Sequence, residues 1–192
     1  MTTTYLIYKP YGMLSQFTRE VPTHVTLADL DYSFARDVYP VGRLDADSEG
    51  LLLLSNDSSL NKRILHPTQK KPKTYLAQVE GQITSAEIMQ LQAGVTLRIK
   101  GKLYRTLPAK IAFATPPSDL PQRVPPIRHR ATIQTSWIEI NIIEGKNRQV
   151  RKMCAHVGYP VLRLIRVGLM GYRWGEGVLD QMEPGDVVKV KL

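Results

Sequence analysis

The chain has 192 residues, 43% apolar and 22% charged, a balance that excludes a disordered, collagen-like or disulfide-stapled polypeptide and suits one or two globular domains. Lys and Arg number 26 against 17 Asp and Glu, and the resulting formal charge of +9 points to a polyanionic partner, nucleic acid before an acidic membrane surface. The longest apolar run, Leu51 to Leu54, is far too short for a membrane span, the N-terminus lacks a signal-like apolar core, and the single cysteine, Cys154, allows no internal disulfide, so a cytoplasmic chain without membrane contact is expected.

Tyr5 to Tyr8 is a short β-rich run stopped by Lys9-Pro10-Tyr11-Gly12, where proline and glycine force a turn. Thr26 to Leu30 reads as one helical turn opened by Thr26, and Gly50 to Leu54 as a buried central strand. Ser58 or Ser59 is the expected cap of a short helix carrying Leu60, Ile64 and Leu65 and ending before Pro67. Lys73 to Glu80 sets Tyr75, Ala77 and Val79 against Leu76, Gln78 and Glu80, the alternation of a half-exposed strand. Thr84-Ser85-Ala86-Glu87 is a capping box whose helix carries Ile88 and Leu91 and stops at Gly94. Ala109 to Ala114 and Ser136 to Ile143 read as strands, separated by an extended basic loop with five prolines. Gln149 to Val157 places Val150, Met153, Cys154 and Val157 on one helical face, with Cys154 as a small core residue, and Val161 to Val167 and Val187 to Leu192 complete the strands. Some strands are separated by helices and others follow directly, so an α+β domain with a largely antiparallel mixed sheet and flanking helices is expected.

Charge is unevenly spread: residues 58–110 and 123–173 each hold 10 basic and 2 acidic side chains, whereas residues 1–57 hold 4 basic and 8 acidic. The acidic part contains a glycine-bounded loop, Gly42-Arg43-Leu44-Asp45-Ala46-Asp47-Ser48-Glu49-Gly50, which is either a surface turn or a site where a carboxylate beside an arginine serves as nucleophile or base. In Glu144-Gly145-Lys146-Asn147-Arg148-Gln149-Val150-Arg151-Lys152, four cations gather where helices normally place acids, so the segment is either a solvated helix end or a phosphate site. The four histidines and one thiol show no zinc-ligand spacing.

In order, Lys9-Pro10-Tyr11-Gly12, the Gly42 to Leu52 loop and strand, Lys73-Thr74-Tyr75 with Val79 and Gly81, and Glu144 to Met153 with Leu164 and Arg166 resemble the motifs of the RsuA-type bacterial ribosomal RNA pseudouridine synthases. The segment Pro125-Pro126-Ile127-Arg128 and Thr135-Ser136-Trp137 resemble the large-subunit branch of that family. The resemblance implies a pseudouridine synthase catalytic fold crossed by a basic RNA-binding cleft. It also implies isomerisation of a uridine in 23S ribosomal RNA near the peptidyl transferase region, without cofactor or metal, by a monomer. Residue by residue, it makes Asp45 the essential carboxylate and Arg43 the arginine that enters the RNA helix and holds the flipped nucleotide. Tyr75 becomes the ring that stacks on the base, Arg151 the cation paired with Asp45, and Leu164 the apolar wall. Lys9, Lys73, Lys146, Arg148, Lys152, Arg166, Arg128 and Arg130 are the expected RNA contacts. Many relatives carry an N-terminal S4-type RNA-binding domain; with the first motif at residue 9, one catalytic domain over 1–192 and no such module is expected here.

Three other functions fit the residues. The first is a non-catalytic RNA-binding or ribosome-assembly protein using the same basic surface. The second is metal-dependent phosphodiester cleavage with Asp45, Asp47 and Glu49, at i, i+2 and i+4, as ligands. The third is a two-carboxylate glycosidase that releases free uracil.

Overall fold

Every position of Glu49–Ser55 (β3) is buried, because this strand lies inside a nine-stranded sheet with side chains packed on both faces. The computed structural model describes residues 2–60, 71–127 and 133–192. With β1 (Thr4–Lys9), β4 (Lys73–Glu80), β7 (Lys110–Phe113), β8 (Thr135–Ile142), β9 (Val161–Leu169) and β11 (Val187–Val190), the sheet runs β11-β1-β3-β9-β4-β8-β7. Two short strands, β2 (Tyr39–Val41) and β10 (Tyr172–Arg173), add to β3 and β9. All pairings in this sheet are antiparallel except β3 with β9, which bears out the mixed, largely antiparallel expectation.

The period-2 alternation of a strand explains the apolar run Leu51 to Leu54. Leu52 and Leu54 join Ile7, Ala77, Ile138 and Ile140 on one face, packed with residues of helices α1 (Ser85–Gln92) and α2 (Gln149–His156). Leu51 and Leu53 join Leu6, Tyr8, Ile165 and Val167 on the other face, closed by Trp174, Leu179 and Met182. Cys154 is a fully buried free thiol on α2, and burial pushes its pKa up to about 12, as suits a core residue rather than a nucleophile.

Local signals were accurate where hydrogen bonds are local. Thr26 caps the 3-10 turn Leu27–Asp29, and Thr84 caps α1, each in a capping box. At residue 58 the cap differs from expectation: the Asp57 carboxylate accepts the Ser59 amide at 2.9 Å, and the remainder of that expected helix, from residue 61, lies outside the described residues. Strand β4 is central, between β8 and β9, and more buried than the half-exposed strand expected, because Tyr75, Ala77 and Val79 pack into the core on one face and Leu76 into the core on the other. Strands β2 and β10, too short to display a period, and the separate hairpin of β5 (Thr96–Ile99) and β6 (Lys102–Arg105) are not among the strands expected from the sequence.

Candidate active site

The loop between β2 and β3 is pinned from behind by the turn that follows β1. Ser15 Oγ accepts the Leu44 amide at 3.0 Å and donates to the Leu44 carbonyl at 2.9 Å, and the Gly12 amide donates to the Ala46 carbonyl at 2.7 Å. Lys9 Nζ donates to the carbonyls of Pro10 and Met13, both at 2.8 Å, and of Ala46 at 3.4 Å. Next in the chain, Gly50 adopts φ +95°, and a Cβ there would lie 2.4 Å from the Arg166 carbonyl oxygen, so only glycine permits the close parallel approach of β9.

Held in this way, Asp45 opens into a cleft of about 90 Å³. Tyr75 from β4, Leu164 from β9, and Lys146, Arg148 and Val150 from the start of α2 line it together with Arg43. The structure thus brings Arg43 and Asp45 of one loop together with Tyr75 and Leu164, which are far from it in sequence. Tyr75 and Leu164 are nearly buried there, while the Asp45 side chain keeps 37% of its surface exposed. Ser48 lies on the same cleft; its Oγ is buried and has no hydrogen-bond partner among the described residues.

The ionic partners differ from expectation in one respect. Arg151, expected opposite Asp45, makes its ion pair with Asp47 at 3.3 Å and donates to the carbonyls of Asp47 and Val161. The cation facing Asp45, at 3.7 Å, is Arg148, whose two η nitrogens also chelate the Asp47 carboxylate at 2.9 and 2.7 Å. The reason is geometric: Arg148 occupies the N-cap of α2 at φ 51° with no side-chain cap and extends over the loop, whereas Arg151, one turn into the helix, reaches only its base. Burial alone would raise the Asp47 pKa; the Arg148 hydrogen bonds, then the nearby charges of Arg151 and Arg148, hold it below the usual carboxylate range. Burial is also the main reason that the Arg151 pKa is lowered.

Several expected RNA contacts are structural instead. Lys9 is fully buried, its ammonium spent on three carbonyls of the turn and loop, and burial lowers its pKa to about 7 against the pull of Glu49 and Asp47. Arg166 is buried as well, with Nε donating to the Leu51 carbonyl at 2.6 Å, so it ties β9 to β3 rather than facing solvent. Lys73 is half-buried beside Gly145, and burial, then Arg166, lowers its pKa. Lys152 donates to the Arg98 carbonyl at 3.3 Å, while Lys146 is exposed over the Tyr104 ring, 4.8 Å from its centroid. Arg128 and Arg130 lie outside the described residues.

The carboxylates of the loop do not act as a trio. Glu49 turns into the sheet, 2% exposed, where Arg163 Nε and Nη2 hold it at 2.9 and 2.7 Å, so it does not join Asp45 and Asp47 as a ligand set. Glu144 and Gln149 stand in the cationic segment, but the sequence suggests no role for either by itself. Both are buried at the foot of α2, where Glu144 accepts from Tyr104 Oη, Gln149 Nε2 and, at 2.9 Å, the Leu107 amide. The available signal was a lone acid next to a glycine at the head of a cationic run. No helix among the described residues is long and apolar enough to cross a membrane.

Residues 3–156 match the RNA pseudouridylate synthase family. The chain is 46% identical over 184 residues to ribosomal large subunit pseudouridine synthase E of Vibrio vulnificus (strain CMCP6), covering 96% of this chain and 73% of that protein. It is 45% identical over 180 residues to the protein of the same name from Xanthomonas axonopodis pv. citri (strain 306), covering 93% and 89%. A solved pseudouridylate synthase superposes on all of this chain and 71% of its own, with a TM-score of 0.74 at 25% identity. Motifs, sheet topology and these likenesses agree, and the chain belongs to the RNA pseudouridylate synthase family.

Proposed function

We propose that this protein isomerises a uridine to pseudouridine in large-subunit (23S) ribosomal RNA, with Asp45 as the carboxylate that acts on the sugar. The observation that carries the reading is the placement of Asp45 in one cleft with a nearly buried tyrosine and leucine and with Arg43, Lys146 and Arg148. In the reaction the bond from N1 of the base to the sugar C1′ breaks, the base turns, and a bond from C5 to C1′ forms. C5 then gives up its proton and N1 gains one, so nothing is oxidised and no atom is added. A carboxylate at that sugar can attack C1′, remove the 2′ proton or stabilise positive charge on the ring. Tyr75 and Leu164 supply the walls between which a planar base fits, and stacking on an aromatic ring is worth about 1 to 3 kcal/mol.

The glycosidic bond is out of reach inside folded RNA, so the nucleotide must be extruded at a cost of a few kcal/mol. In this reading Arg43, which is exposed at the cleft, fills the vacated stack, and Lys146 and Arg148, which line the same cleft, hold the phosphates of the flipped residue. Arg151 acts behind this group, through Asp47.

The test is incubation of the protein with in vitro transcribed 23S ribosomal RNA, followed by pseudouridine mapping at single-nucleotide resolution. The expected result is a discrete modified site for the natural chain and none for a folded Asp45→Asn variant. Release of free uracil would instead show a glycosidase, and RNA binding without modification a non-catalytic RNA-binding protein. Product from the folded variant would remove Asp45 from the chemistry.

A further inference from the structure

The β5–β6 hairpin stands apart from the large sheet, and the reaction makes no use of it. Residues 96–105 carry Arg98, Lys100, Lys102 and Arg105, all exposed, and no acidic side chain. Among the described residues no ion pair joins any of the four to a carboxylate. Arg98 and Arg105 reach only the carbonyls of Gly101 and Ala93, each at 3.3 Å. The register sets Arg98 opposite the exposed Leu103 and Thr96 opposite Arg105, so the two arginines stand diagonally on one face, their guanidinium groups reaching toward the tip and the base of the hairpin. The opposite face carries the buried Leu97 and Ile99, which packs on the core. At the tip, Lys100 at φ 49° and Gly101 at φ 80° form a two-residue turn in which Asn is less strained than Lys at the first position. A surface that concentrates positive charge, lacks acids and keeps a lysine where the backbone disfavours it is suited to an anionic partner.

The hairpin is also joined to the cleft. Tyr104 of β6 donates to Glu144, and the exposed Lys146, a residue of the cleft lining, sits over its ring. On the β5 side, Lys152 of α2 donates to the Arg98 carbonyl at 3.3 Å. The carboxylate at this junction, Glu144, is buried and already accepts from Tyr104, Gln149 and the Leu107 amide, so it does not neutralise the surface cations.

We infer that the β5–β6 hairpin is a phosphate clamp that grips the RNA backbone beside the modified nucleotide. The inference rests on the reading of the protein as an RNA-modifying enzyme. The hairpin offers charge and no free aromatic face, since Tyr104 is half-buried beneath Lys146, so it reads phosphates and not bases. It therefore supplies affinity for many RNA sequences, and the choice of uridine is made elsewhere.

The test compares a triple variant, Arg98→Gln, Lys100→Gln and Lys102→Gln, with a control triple of equal charge loss on exposed positions away from the hairpin, Arg36→Gln, Lys189→Gln and Lys191→Gln. Binding to in vitro transcribed 23S ribosomal RNA is measured over a range of salt concentrations, with thermal melting to confirm folding. Each lost phosphate contact removes about 0.7 to 0.9 from the slope of log affinity against log salt, so the hairpin variant is expected to be shallower by about 2, and the control unchanged. The same deficit is expected on an unrelated RNA of equal length. A hairpin variant with the natural slope, or a control that loses as much, overturns the clamp. Pseudouridine formation with an unchanged slope sinks the clamp and leaves the enzymatic reading intact. A reduced slope in a protein that forms no pseudouridine does the reverse.

Discussion

Asp47 holds both terminal nitrogens of Arg148, at 2.9 and 2.7 Å, and thereby fixes that guanidinium 3.7 Å from Asp45. The same carboxylate pairs with Arg151, so one side chain that does not itself line the cleft orients two arginines, Arg148 in the cleft lining and Arg151 behind it. Replacing Asp47 by Ala leaves Arg151 largely buried without its ion pair and releases Arg148 from its place. The expected cost is about 1 to 3 kcal/mol of stability. Misplacing a group by about 1 Å can cost about 100-fold in rate, so a loss of that order in kcat/KM is expected as well. Steady-state modification rates alongside thermal melting check this; a variant with natural kcat/KM would show that Arg148 needs no such anchor.

The buried pair of Glu49 and Arg163 makes a different prediction, one of stability. Glu49 is 2% exposed and Arg163 7%, and Arg163 Nη2 also donates to the Pro121 carbonyl at 2.7 Å. Removing one partner strands the other charge in the sheet, so Glu49→Ala is expected to lose about 3 to 5 kcal/mol, whereas Glu49→Leu combined with Arg163→Met recovers most of the loss. Denaturant unfolding of the single and double variants decides the matter, and a single variant as stable as the natural chain would refute the account.

Gly50 is where the loop becomes the central strand. A methyl group there would lie 2.4 Å from the Arg166 carbonyl oxygen and 2.8 Å from its amide nitrogen, on backbone already at φ +95°. Neither contact is with a flexible side chain, so β9 must move away. Gly50→Ala is expected to destabilise the protein by about 3 kcal/mol or more and to disturb Asp45 with it. Soluble expression with natural melting temperature would contradict the close approach of β3 and β9.

Lys9 ties stability to pH. Its folded pKa is lowered to about 7 from an ordinary 10.5, with burial as the main cause and Glu49, Asp47 and Asp45 opposing it. Between those values the unfolded chain binds more protons than the folded one, so this group's contribution becomes more favourable as pH rises from about 7 toward 10 and is least favourable below pH 7. Relative to Lys9→Met, the natural chain is expected to gain about 2 kcal/mol between pH 7 and 9. Unfolding free energies of both proteins across that interval supply the comparison, and a difference independent of pH would mean that Lys9 stays charged when folded.

The elements and the Asp45 loop were legible in the amino-acid order because their causes are local. Alternation along Ser136 to Ile143, the capping box at Thr84 and the glycine-bounded run of carboxylates each depend on neighbours a few residues apart. The destinations of the long cationic side chains were not legible. Lys9 and Arg166 read as RNA contacts, and Arg163 drew no reading, yet all three are buried, because their partners lie on strands or loops remote in sequence: Ala46 for Lys9, Glu49 for Arg163 and Leu51 for Arg166. Likewise both Arg148 and Arg151 lie within reach of the loop, and the left-handed start of α2 decided which of them faces Asp45. By itself the sequence determined a basic α+β protein with a carboxylate on a glycine-bounded loop. Tertiary structure alone decided which of its charges remain free to meet RNA, since burial and pairing depend on the sheet order that brings distant segments together.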